Sequence, residues 1–193
     1  MQLLLYTLTF TMFTLFNIVE SVVEQHTTEI SPSTLRTGDL ILTSKCPIVR
    51  TLQMDPFSHS AVCVLNRKNV AYIFDIMPNS YPSMAKLTSD NTQLYVRRLN
   101  KPLPLKSVLQ YVSLVKHRLY THSYFKAAFE VPLRAHDMFC CSLVSGLYIF
   151  TGAMSSSAGG FLPKDFCRDS SQLPMKKPYR FGPIQKLSND PLH

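Results

Sequence analysis

An α+β fold built on an antiparallel sheet is what the sequence predicts, and three features predict it. Short apolar runs separated by turn-forming residues fill the stretch from 37 to 99. A helical repeat takes over after Pro104, and a second apolar helix follows near residue 140. Strands that come first and helices that come later segregate into α+β rather than alternate into a parallel sheet. The chain has 193 residues, 46% hydrophobic and 17% charged, which suits one globular domain and excludes a disordered chain.

Met1 to Val19 carries no charged side chain. A bilayer-spanning helix needs about 20 apolar residues, so this run has borderline length. It reads as a cleaved secretory signal or as a retained membrane anchor occupying residues 1–21, with a buried helix as the third reading. Residues 22–36 are more polar and read as a lead-in linker. Thr37-Gly38-Asp39 is a turn, and Leu40-Ile41-Leu42 is a short buried strand. Ile48, Val49, Leu52 and Met54 have helical spacing and predict a short helix ending before Pro56.

Phe57-Ser58-His59-Ser60 leads into the strand Ala61–Leu65. Asn66–Asn69 is a turn, and Val70–Met77 is the returning strand. Residues 78–92, rich in Pro, Ser and Asn, read as a loop before the strand Leu94–Leu99. Leu105, Val108, Leu109, Val112, Val115 and Leu119 predict an amphipathic helix over 104–119, opened by Pro104. Asp137 is placed to cap a helix over 138–151, which Gly152 ends. The folded domain then spans 37–170, and 171–193 reads as a basic, Pro-rich tail.

The formal charge is +8, and all 20 Lys and Arg fall after residue 30, against nine acids there, a net +11. Such a domain suits anionic partners, among them a membrane surface. Lys176, Lys177 and Arg180 form either a solvated basic face or a phospholipid contact. The sequence holds neither a phosphate-binding loop nor a nucleic-acid motif.

Five cysteines (Cys46, Cys63, Cys140, Cys141, Cys167) include no C-x-x-C pair, which argues against structural zinc. The odd count leaves a thiol unpaired within one chain. His117 and His122 are five apart and do not share a helix face, and His136 precedes the cap, so none is a good metal ligand. Cys140 lies in the predicted first turn of a helix, where backbone N–H groups and the helix dipole favour a thiolate. The alternative is a structural Cys on an apolar helix. Cys141 is a rival nucleophile, but it lies about 100° around the helix, so one of the two sulfurs at most faces a given base.

His59, at the start of an apolar strand, is the candidate base. Asp75 interrupts the apolar run Ile73-Phe74-Ile76-Met77, and a carboxylate there needs a partner. Hairpin register decides whether His59 is that partner. A three-residue loop places the two directly opposite. A five-residue loop sets Asp75 opposite Ala61, with His59 diagonal on the same face. A two-residue loop puts them on opposite faces. A thiol, an imidazole and an orienting carboxylate form the general pattern of an activated nucleophile.

Five short segments taken in order resemble the circularly permuted NlpC-type papain-like cysteine hydrolases, in particular the YiiX/YaeF-type group, which has poxvirus relatives. Thr37-Gly38-Asp39-Leu40-Ile41 is similar to that family's G-D-L-I-F. Phe57–Val62 is similar to its Y-S-H-V-G-I, and Tyr72-Ile73-Phe74-Asp75 follows as its V-F-E-A. Phe139–Val144 is similar to its Y-C-S-E-L-V, and Phe161–Phe166 to its late T-P-x-D-L. The resemblance spans about residues 37–166. It implies a permuted papain-like fold, with a sheet packed on a helix that carries the nucleophile at its N-terminus.

In that fold Cys140 would be the nucleophile, His59 the base and Asp75 the orienting acid. Cys141 stands where the motif has serine, Ser142 where it has glutamate and Asp75 where it has glutamate. Ser142 and Cys141 are thereby expected near the substrate. The implied activity is a thiol hydrolase for an amide or ester bond in a peptide or lipid, with no cofactor and no metal. Lipid-directed acyl transfer on the same fold is one alternative. A catalytically silent secreted or membrane-anchored interaction protein, such as a viral virulence factor, is another.

Overall fold

The computed structural model describes residues 27–43, 57–77, 80–88, 93–119, 139–155, 163–167 and 171–188. They form a mixed α+β fold, a seven-stranded and mostly antiparallel sheet with two α-helices. The strands are β1 (Glu29–Ile30), β2 (Leu40–Thr43), β3 (His59–Leu65), β4 (Ala71–Asp75), β5 (Ser83–Lys86), β6 (Leu94–Leu99) and β7 (Phe181–Leu187). The helices are α1 (Leu105–Val115) and α2 (Cys140–Phe150). The sheet order is β1-β7-β6-β2-β3-β4-β5, antiparallel throughout except for the β1–β7 pair. The apolar segment 1–21, the predicted helix at 48–54 and Asp137 lie outside the described residues. No helix among the described residues is long and apolar enough to cross a membrane.

The central strands are apolar because both faces are covered. Leu40, Leu42, Val62, Val64, Phe74, Tyr95 and Leu99 join α1 and α2 in the main core. Ile41, Ala61, Cys63 and Val96, on the alternate face, join Leu35, Leu87 and Leu187 in a second cluster. The turn Thr37-Gly38-Asp39 ties these layers together. Gly38 sits at φ +99°, and a Cβ there would lie 2.6 Å from Leu103 Cγ. The Gly38 carbonyl accepts the Tyr148 hydroxyl at 2.9 Å, anchoring α2, while the Gly38 and Cys63 amides donate to the carbonyls of Cys63 and Asp39. Asp39 is fully buried and accepts the amides of Arg36 (2.9 Å) and Leu99 (3.1 Å). The turn therefore fixes where α2 sits relative to β3.

Three expectations are corrected. Residues 22–36 are not simply a linker, since Glu29–Ile30 pairs with Lys186–Leu187 and Pro32–Thr34 forms a 3-10 turn. Residues 78–92 are not all loop, since Ser83–Lys86 forms an edge strand on β4. Both strands are held by backbone bonds on short, largely exposed segments, which leave no hydrophobic period to read. The 171–193 segment is not a tail: Phe181–Leu187 lies between β1 and β6. Pro183 is tolerated there because the β6–β7 register slips by one residue between Leu99↔Phe181 and Arg97↔Ile184, which places the proline in a bulge.

Candidate active site

The β3–β4 hairpin brings His59 to Asp75. Asn66 Oδ1 accepts the amides of Lys68 (2.8 Å) and Val70 (2.9 Å), and Asn69 adopts the left-handed conformation at φ 58°. This turn pairs Leu65 with Ala71 and Val62 with Phe74. It is the five-residue-loop register, in which the next pair inward is Ala61 with Asp75 and His59 lies diagonal on the same face. The side chains meet, with His59 Nε2 3.3 Å from Asp75 Oδ2, and they are only 13% and 18% exposed. Nε2 is thus engaged by the carboxylate, which leaves Nδ1 to serve another group.

Cys140 is the second group that acts on the His59 ring. It is the first residue of α2, and its thiol lies near enough to the His59 side chain for each to shift the other's titration. The Ser60 backbone N–H also favours the ionised sulfur. The helix begins two residues later than the sequence suggests, so Cys140 holds the first helical position rather than the third. Phe139 occupies the cap, and its N–H donates to Ser142 Oγ at 2.8 Å, as the third residue of a capping box does. Cys140 is 2% exposed.

The electrostatics couple the three groups. Burial disfavours the His59 imidazolium, but hydrogen bonds to Asp75 and Cys140, and their charges, outweigh it and raise the pKa to about 9. The Cys140 thiol is pushed well below its usual value. The Cys141 thiol contributes most, His59 and the Ser60 amide add to it, and together they overcome burial. Both shifts favour a thiolate facing an imidazolium. Cys63, another buried thiol, shows the contrast: burial and the nearby Asp39 charge push it up to about 12.

The two remaining candidates, Ser142 and Cys141, bond to neighbouring groups of the protein. Ser142 uses its hydroxyl on the helix cap, accepting from Phe139 N–H and donating to Phe139 O at 3.0 Å. Cys141 is fully buried, and its sulfur accepts the Ser60 hydroxyl at 3.2 Å. Burial and the adjacent Cys140 raise the Cys141 thiol well above the ordinary range, which favours Cys140 of the two sulfurs for ionisation.

The site holds groups that motif reading passed over. Ser60, a polar residue in an apolar strand, is fully buried and serves both sulfurs. Arg97 is a buried cation on β6. Its Nη1 donates to Phe166 O and its Nε to Gly182 O at 3.0 Å, which docks the 3-10 turn Pro163–Cys167 against the sheet. Asp165 on that turn is close enough for its charge to raise the Cys141 thiol. A polar side chain at a strand position of core parity was the available signal for both Ser60 and Arg97.

Among the described residues no group of three or more His, Cys, Asp or Glu could hold a metal ion, and Cys63, Cys140 and Cys141 are not in disulfides. His117 is exposed just beyond α1. Cys46, His122 and His136 lie outside the described residues. No protein-family model and no curated protein matches this chain.

Proposed function

We propose that the chain is a thiol hydrolase of the circularly permuted papain-like, NlpC type, acting on an amide or ester bond through a thioester intermediate. One observation carries the reading: His59, whose Nε2 lies 3.3 Å from Asp75, is close enough to the Cys140 thiol at the start of α2 for each to shift the other's titration. The Cys140 thiolate attacks the carbonyl carbon. The oxyanion that forms sits against first-turn amides of α2, which have no intrahelical acceptor. The carbon–heteroatom bond breaks, and the His59 imidazolium gives its proton to the leaving amine or alcohol. Water then attacks the thioester with neutral His59 as base, releasing the acid and restoring Cys140. Asp75 holds the imidazole orientation through both steps.

An acceptor alcohol or amine in place of water would make the same site an acyltransferase. The uncharged run 1–19 supports a secreted or membrane-anchored location, and the basic domain supports an anionic membrane surface nearby. The burial of Cys140 favours a second reading, an interaction protein that kept the fold without turnover.

p-Nitrophenyl esters of short and long acyl chains separate the two. The hydrolase gives a burst of p-nitrophenolate and an acyl mass on Cys140, and Cys140→Ala abolishes both. No adduct on Cys140, with release equal to that of Cys140→Ala, leaves only the interaction protein.

A further inference from the structure

We propose that Cys141 is a positioning residue for the nucleophile: its thiol donates a hydrogen bond to the Cys140 sulfur, and the Ser60 hydroxyl, donating to Cys141 in turn, aims it. The inference rests on the hydrolase reading and adds to it a role for a vicinal thiol.

The two sulfurs lie 3.7 Å apart, and Ser60 Oγ lies 3.2 Å from Cys141 Sγ. Ser60 and Cys141 are both fully buried, so water does not compete for these bonds. A buried hydroxyl and a buried thiol are unfavourable unless each is bonded, and here they bond to each other across 81 residues of sequence. With the Ser60 proton pointed at Cys141 Sγ, the Cys141 proton is directed to the one sulfur beside it. Cys140 is the better acceptor because it has the first helical position, the His59 contact and the Ser60 amide, none of which Cys141 shares. A bond to an ionised acceptor is also the stronger kind. The same arrangement explains why Cys141 does not compete as nucleophile: its proton is in use. The titration directions agree, with Cys140 lowered chiefly by Cys141 and Cys141 raised by burial and by Cys140.

The test is iodoacetamide alkylation of the full chain against pH, with the labelled cysteine identified by mass spectrometry. Wild type, Cys141→Ser, Cys141→Ala, Ser60→Ala and His59→Ala are compared, with circular dichroism to confirm folding. The relay predicts that Cys141→Ala raises the apparent pKa of Cys140 by about one unit, leaving roughly tenfold less thiolate on the acid limb. Cys141→Ser, which keeps a donor, restores most of the shift, a rescue that mere packing does not predict. Ser60→Ala moves the midpoint the same way by a smaller amount.

An unchanged Cys140 profile in Cys141→Ala, with His59→Ala still shifting it, overturns the relay and leaves the hydrolase reading standing. Alkylation of Cys141 rather than Cys140 overturns it as well. If Cys141→Ala does not fold, Ser60→Ala decides, and an unshifted midpoint there overturns the relay. Wild-type Cys140 that labels like an ordinary thiol near ~8.5, indifferent to His59→Ala, removes both readings.

Discussion

Asp75→Asn tests the electrostatic core of the site. The carboxylate lies 3.3 Å from His59 Nε2, and burial acts against the imidazolium while Asp75 and Cys140 support it, for a pKa of about 9 against 6.5. That difference is a preference of about 3 kcal/mol for the protonated ring. The amide keeps the shape but removes the charge and the charge-assisted bond, so burial is opposed by Cys140 alone. His59 is expected to drop by about 1–2 units, to roughly 7–8. Hydrolysis is expected to fall by about 10²-fold or more, because the imidazole loses its orientation as well as its charge. NMR titration of the His59 ring in both proteins reads the shift directly. A His59 midpoint that stays in place or rises in Asp75→Asn would refute the reasoning.

Three further outcomes follow from the same geometry. The alkaline limb of kcat/KM should fall near pH 9, where His59 loses the proton it gives to the leaving group, and in Asp75→Asn the limb should move to lower pH. Unfolding stability should be nearly flat in its dependence on this pair between about pH 6.5 and 8.5. The raised His59 contributes stability that is full below 6.5 and lost through about 9. The depressed Cys140 contributes stability that is full above the unfolded thiol value and lost as pH falls through its folded value. In that window the thiolate–imidazolium pair binds as many protons as an unfolded thiol and neutral imidazole, and urea titrations in which wild-type stability slopes steeply there contradict the ion pair. Gly38→Ala should cost about 1–3 kcal/mol by thermal unfolding, because φ +99° and the 2.6 Å approach to Leu103 both oppose a side chain. A melting temperature equal to wild type would show that the turn relaxes freely.

Much of the site could be read from residue order because its parts obey local rules. Leu94–Leu99 forms a strand over the expected residues, and Leu105–Val115 follows the apolar period. The Asp in Ile73-Phe74-Asp75 announced its need for a partner, and reading register as the deciding variable identified His59 as the partner that two of the three loop lengths allow. The choice among loop lengths was not legible, because it depends on Asn66 accepting two amides and Asn69 turning left-handed. Asp137 looked like the better cap, yet Ser142 closes the first turn from inside the helix, a bond that a three-residue spacing permits but does not require. The strands Glu29–Ile30, Ser83–Lys86 and Phe181–Leu187 were hidden for a different reason: their pairing is backbone to backbone, and Pro183 speaks against a strand unless the bulge is known. Ser60 and Arg97 were hidden because a polar residue at core parity reads as a flaw in the pattern until its distant partner is seen.

The insertion of β7 between β1 and β6 has a consequence for any shortened version of this protein. Cleavage ahead of residue 181 would strip hydrogen-bond partners from both neighbours at once, leaving Glu29–Ile30 with nothing to hold and Tyr95, Val96 and Arg97 facing a naked border. Such a border recruits strands from other molecules. The fragment would therefore be expected to clump rather than work as a minimal catalytic unit, even though it retains Cys140, His59 and Asp75.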